Sequence, residues 1–397
     1  MKKLAFFTVL LFVVISVFGQ QKNETDLIAS SQTSASDIFF KPTTNVEIVV
    51  PGNYNNPSEI SIRKGLPYFF YKAKSGENLK IAYIGGSITR ADNQYRTQSL
   101  EFIQGMFPKI EIKGINAGVS GTDADLGAAR LYDHVLKHKP DLIFIEFAVN
   151  GGFPEGIEGM VRQIIKYNNA IDICFIYTVT SSQLSYYHGG IMTPVMKQLE
   201  DIAIHYNISS VHLGMEVADL VKKGMLLDRE RKSENEDKPF FSSDGVHPSK
   251  TGGDLYASAI ARSMLKMQNK SVLSPYQLPE PLYTNNWEDA TMIEPLKAMF
   301  TEGWTKLDLG VDSSLKAYEN WFPYVMVSER PEEECKFKFK GKAFGLFDIG
   351  GPEVGLLDIY VDGKQVKLKT VKPEKRYKIE EGGEESYNVF LVLPFST

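Results

Sequence analysis

Cysteine is nearly absent: the chain has two in 397 residues. Cys174 lies in the apolar run Asp172-Ile-Cys-Phe-Ile-Tyr177 and reads as a small core residue. Cys335 sits among charges in Glu332-Glu-Glu-Cys-Lys336, in a different predicted domain. That usage excludes a disulfide framework and leaves no thiolate metal site to expect. Clusters of lysine and arginine are also missing. Net charge is −5, and losing Lys2 and Lys3 with the first twenty residues lowers it by two, to −7. A nucleic-acid binder is therefore not expected. The apolar run Leu4 to Phe18 falls short of the roughly 20 residues a spanning helix needs. With Lys2 and Lys3 before it and Ser16 and Gly19 at its end, it reads as a secretory signal cut near Gly19 or Gln20. No cysteine follows it for lipid attachment. The expectation is an exported bacterial protein, secreted or periplasmic, with no stable membrane insertion after cleavage.

What is present is the material of a folded core: 43% hydrophobic and 12% aromatic residues, in a chain long enough for two domains. Residues 21–65 open with a Ser/Thr/Asn/Gln-rich leader. They continue with short strands near Ile38, Val46 to Val50 and Glu59 to Arg63, which the C-terminal domain is expected to recruit. Leu66 to Tyr71 runs toward a core strand at Lys80 to Ile84. From there to 268, strands at Ile110, Leu142, Ile171 and Ser209 alternate with helices at Tyr95, Leu126, Ile157, Met192 and Gly252. That alternation predicts an α/β unit with a parallel sheet between two helical layers. Asp228 to Lys238 reads as a solvated loop. Pro275, Pro279 and Pro281 mark a linker over 269–285. Over 286–397 come short β-rich runs, with an Asp362-Gly363 hairpin signal, and they predict an antiparallel β-sandwich.

Four stretches fall at the ends of predicted strands or before the last helix, where an open α/β sheet gathers its ligands. They are Gly85-Gly-Ser87, Asn116-Ala-Gly-Val-Ser-Gly-Thr122, Ala148-Val-Asn150-Gly151 and Asp244-Gly-Val-His247-Pro248. Each alone also reads as a turn or a cap. Together they hold the parts of an acyl-transfer site. Ser87 is a nucleophile that needs a base, and His247 is a base near neutral pH. Asp244 can orient the imidazole. The amides of Ser87 and Gly121 and the side-chain NH₂ of Asn150 are donors for an oxyanion. Gly118 is the alternative to Gly121. The other histidines read as structural. No metal or cofactor is expected.

Those stretches, in that order, resemble the SGNH hydrolases, the GDSL-like esterases, over about Leu66 to Met267. Ser87, Gly121, Asn150 and the Asp244/His247 block match the family's positions. Gly65-Leu-Pro-Tyr-Phe-Phe is similar to a bacterial subgroup with an added C-terminal β domain. Gly86 and Gly151 stand where the family usually has aspartate. The resemblance implies a three-layer, flavodoxin-like α/β/α fold with a five-stranded parallel sheet, and a secreted serine esterase needing no cofactor. Export and the β domain, with Trp304 and Trp321, point to O-acetyl groups on a polysaccharide, with the β domain a candidate for carbohydrate binding. The alternatives are a lipase- or thioesterase-type acylhydrolase, a sugar O-acyltransferase with the same residues, and an inactive carbohydrate-binding surface protein.

Overall fold

The computed structural model describes residues 38–42, 46–231, 238–269, 272–311, 315–350, 357–365 and 387–394. The signal and leader over 1–37 lie outside them. At the centre is β3 (Leu79–Gly85), where Ile81, Ala82, Tyr83 and Ile84 are all fully buried. A strand covered on both faces must be apolar at consecutive positions, which is why this run alternates with nothing polar. It pairs in parallel with β4 (Ile112–Gly118) on one side and β5 (Leu142–Glu146) on the other. Two further parallel strands, β6 (Asp172–Tyr177) and β7 (Ser209–His212), complete five.

Two short antiparallel strands close the edges, giving the order β1-β4-β3-β5-β6-β7-β2. They are β1 (Phe39–Phe40) and β2 (Ile60–Ser61). The early strands therefore do not join the C-terminal domain. They satisfy the outer hydrogen-bonding edges of β4 and β7, which the parallel strands leave open. Val46 to Val50 forms no strand. Ahead of the core strand, Pro67 opens a helix, α1 (Pro67–Lys74), at the position where its fixed φ and missing N–H cost nothing.

The remaining helices are α2 (Ser87–Arg90), α3 (Tyr95–Met106), α4 (Ala124–His134), α5 (Pro154–Tyr167), α6 (Leu184–His188), α7 (Pro194–His205), α8 (Gly214–Lys222) and α9 (Lys250–Met267). Helices α4, α5 and α7 pack in one group and α3, α8 and α9 in another, so the sheet lies between helical layers. Among the described residues no helix is long and apolar enough to cross a membrane.

The proline-rich segment is pinned to α5. Buried Glu158 accepts the amides of Leu282 (2.7 Å) and Tyr283 (2.8 Å), and Arg162 donates to the Pro279 carbonyl at 2.6 Å. Beyond it, the described residues form four two-stranded antiparallel sheets, the longest pairing Ala343–Gly350 with Tyr387–Pro394. Residues 351–356 and 366–386 of the predicted sandwich lie outside the described residues. The hairpin at 360–365 turns through Asp362 (φ 49°) and Gly363 (φ 77°), the paired left-handed conformations an Asp-Gly turn supplies. Cys174 and Cys335 are both free.

The N-terminal segment is held by a buried ion pair. Arg262 reaches Glu59 twice, at 3.1 and 2.5 Å, and also the Pro51 carbonyl at 2.5 Å. Glu59 is fully buried. Removing one partner strands the other charge, so Arg262→Met is expected to cost about 3–5 kcal/mol in urea unfolding. A loss under about 1 kcal/mol would show that the pair holds nothing.

Candidate active site

The C-terminal ends of β3, β4 and β5 meet at one edge of the sheet, in register. Gly85 lies between Gly118 and Glu146. The chain leaves β3 through Gly85 and Gly86 and enters α2 at Ser87, which is 6% exposed. At the first position of a helix the Ser87 N–H has no intrahelical acceptor.

The loop before α9 comes back over this turn. His247 Nε2 lies 2.7 Å from the Ser87 hydroxyl. On the far side of the ring, Nδ1 lies 2.6 Å from Asp244 Oδ2. The other carboxylate oxygen of Asp244 accepts the amides of Val246 and His247, each at 2.8 Å. Burial works against charge on Asp244, but the imidazole and those two amides outweigh it and hold the carboxyl at about 2. Asp244 therefore stays a carboxylate, and Nδ1 of the ring must be the donor to it. That leaves Nε2 free to accept the serine proton. The Ser242 hydroxyl lies 3.0 Å from Asp244 Oδ1 and 2.6 Å from the His247 carbonyl, and it accepts from the Gly245 amide at 2.8 Å. The loop is thus fixed by its own side chains before Ser249 caps α9.

Asn150 follows β5 and reaches over the turn. A Cβ on Gly86 would sit 1.9 Å from Asn150 Nδ2. The glycine at 86 is therefore the space into which the Asn150 amide fits, and an aspartate there would displace it. Gly118 does not offer a free amide, because its N–H donates to Asn116 Oδ1 at 3.1 Å. Gly121 adopts φ +69° in the following loop, a left-handed conformation that glycine takes at little cost. That loop is tied to the serine turn from both sides. The Val119 amide donates to the Gly85 carbonyl at 3.0 Å, and Arg90 reaches the Ser120 hydroxyl at 3.3 Å. All five residues singled out from the sequence, Ser87, Gly121, Asn150, Asp244 and His247, therefore belong to loops that converge on one sheet edge.

The C-terminal region packs beside this edge. Val119 is buried with Leu309, Tyr318, Trp321 and Phe322, and the Arg90 guanidinium lies 4.4 Å from the Trp321 ring. The other histidines serve the scaffold. His212 bonds Tyr187 at 2.7 Å, His188 the Ala218 carbonyl at 2.9 Å, and His205 the Glu280 carbonyl at 2.8 Å. His134 is buried against Arg130 and the Trp321 main chain. Among the described residues no cluster of three metal-ligating side chains occurs.

One group at the site was not singled out from the sequence. Glu146 ends β5 and is 1% exposed. Burial pushes its carboxyl up to about 7, against hydrogen bonds from Thr178, Thr89 and the Gly86 amide. Its signal was legible: a carboxylate closing the otherwise apolar Leu142-Ile-Phe-Ile-Glu146.

No protein-family model matches the chain, and no curated protein matches it in sequence. Solved structures do. It is similar to a two-domain esterase active on acetylated mannans, co-crystallised with mannopentaose. Identity there is 24%, over 83% of this chain and 89% of that one, with a TM-score of 0.57. A second structure described as a two-domain esterase active on acetylated mannans gives 23% identity over 85% and 91%, with a TM-score of 0.60. An acetylxylan esterase from Geobacillus stearothermophilus matches 49% of this chain and 95% of its own at 18% identity and a TM-score of 0.37, too low to bear on the argument. The first two likenesses show a shared fold.

A carboxyl raised by folding favours the native state while protonated. Its contribution is complete below the usual 4.5 and is lost as pH rises through about 7. The melting temperature of Glu146→Gln minus that of the wild type should therefore rise between about pH 5 and about pH 8. A difference that stays flat would contradict this environment for Glu146.

Proposed function

We propose that the protein is an exported serine esterase that removes acetyl groups from a polysaccharide, acting as an SGNH-type hydrolase. The observation that carries this reading is the relay from the Ser87 hydroxyl through His247 to Asp244, at 2.7 and 2.6 Å. Three supports stand beside it: the Asn150 amide packed against Gly86 beside Ser87, the fold shared with esterases active on acetylated mannans, and the signal-like first twenty residues.

The chemistry follows from the roles each group can fill. Ser87 Oγ attacks the ester carbonyl carbon while His247 Nε2 takes its proton. The carbonyl oxygen becomes an oxyanion, met by the Ser87 amide, the Gly121 amide and the Asn150 NH₂. Asp244 keeps the ring in the right tautomer and balances the imidazolium. Collapse breaks the bond to the sugar oxygen, which leaves with the proton from His247. Water then gives its proton to the same nitrogen and attacks the acyl-serine. The second collapse returns the proton to Ser87 and releases acetate.

Ser87→Ala and His247→Ala should each lower kcat on p-nitrophenyl acetate by about 10³-fold or more, and Asp244→Ala by somewhat less. Near wild-type turnover in either of the first two would end the proposal. Loss of acetate release from acetylated mannan in Ser87→Ala would exclude a purely binding role, and product analysis with added free sugar separates hydrolysis from transfer. Gly86→Ala should push the Asn150 amide away and lower kcat by about 10²-fold in a folded protein. Unchanged turnover would remove Asn150 from the oxyanion site.

A further inference from the structure

Glu146 is a buried carboxylate with no lysine or arginine paired to it among the described residues. Such a group is costly, because burial takes its charge out of water with no cation beside it. Its hydrogen bonds say what it does there. It sits at the junction of three adjacent strand ends. From the end of β3, the Gly86 amide donates to it. From the serine helix, the Thr89 hydroxyl donates to Oε2 at 2.8 Å. From just beyond β6, the Thr178 hydroxyl donates to Oε1 at 2.5 Å. Since the Thr89 proton points to Glu146, the Tyr95 hydroxyl, 2.7 Å away, donates to Thr89. The carboxylate also lies against the strand itself: a Cβ on Gly85 would come within 2.8 Å of Oε2 and 2.2 Å of Thr89 Oγ1.

These contacts bracket Ser87. Gly86 precedes it and Thr89 is two residues on, so both ends of the turn that aims its hydroxyl are tied to one rigid group. We propose that Glu146 is the positioning residue of the nucleophile: through the Gly86 amide and the Thr89 hydroxyl its carboxylate fixes the turn that directs Ser87 Oγ at His247. This rests on the reading of Ser87 as nucleophile. It goes beyond that reading in assigning the support of the turn to a side chain from the neighbouring strand. The hydrogen bonds of the His247 ring go to Ser87 and Asp244, and those of Glu146 to Thr89, Thr178 and Gly86.

The test separates hydrogen bonding from packing. Glutamine keeps the shape, offers an acceptor to Gly86 and Thr89, and lets Thr178 turn its hydroxyl to accept. Methionine keeps the volume but leaves the Gly86 N–H without a partner. With p-nitrophenyl acetate, Glu146→Met should lower kcat by about 10- to 100-fold with KM within about three-fold of wild type, because a displaced nucleophile loses turnover rather than binding. Glu146→Gln should recover kcat to within about three-fold of wild type. The proposal fails if folded Glu146→Met keeps wild-type kcat, or if Glu146→Gln is as slow as the methionine variant. If Glu146→Met does not fold, Thr89→Val, equal in shape, takes its place. It should lose about 10-fold in kcat at unchanged KM, and wild-type kcat there overturns the proposal equally. An inactive Ser87→Ala beside a fully active Glu146→Met sinks this inference alone. An active Ser87→Ala sinks the assignment of the nucleophile and this inference with it.

Discussion

The site depends on a space that two missing side chains leave open. Where β3 ends, Gly85 and Gly86 carry no Cβ, and other groups occupy the volume. The Thr89 hydroxyl and the Glu146 carboxylate lie where a side chain at 85 would stand, and the Asn150 amide lies where one at 86 would. Close packing of polar groups around a bare backbone holds Ser87 at the mouth of the sheet without flexible linkers. At 86 the place a side chain would take is filled by the Asn150 amide.

Around that turn, the two carboxyl groups are set to different states. Asp244 is held at about 2 by the His247 ring and two amides, so it can only accept. The ring must then donate from Nδ1, and its other nitrogen faces the serine. Glu146, at the buried end of β5, shows the opposite balance, with burial pushing it up to about 7. Two carboxyl groups near one serine thus differ by burial and hydrogen bonding. One braces the base and the other braces the turn.

Much of this was legible in the sequence because it is local. A buried strand reads as consecutive apolar residues, and Gly85-Gly86-Ser87 reads as its abrupt end. The alternation of strands and helices from Lys80 to Met267 follows from periodicities that the structure reproduces. The misreadings share a cause, which is that the deciding contact lies far away in the chain. Whether Phe39–Phe40 and Ile60–Ser61 join the main sheet depends on β4 and β7, not on their own residues. The choice between Gly118 and Gly121 turned on one side chain, Asn116, which occupies the Gly118 amide. Glu146 was visible as a carboxylate closing an apolar strand, but its partners come from three separate segments.

The central claim is that the Ser87 oxygen becomes covalently acylated because His247, oriented by Asp244, removes its proton. The most direct measurement is mass spectrometry of the protein quenched in acid during turnover of p-nitrophenyl acetate, followed by peptide mapping. The account predicts a single acetyl group, on the peptide that carries Ser87 and on that serine. An acetyl group reproducibly attached elsewhere in an enzyme that turns over, with Ser87 unmodified, would contradict it.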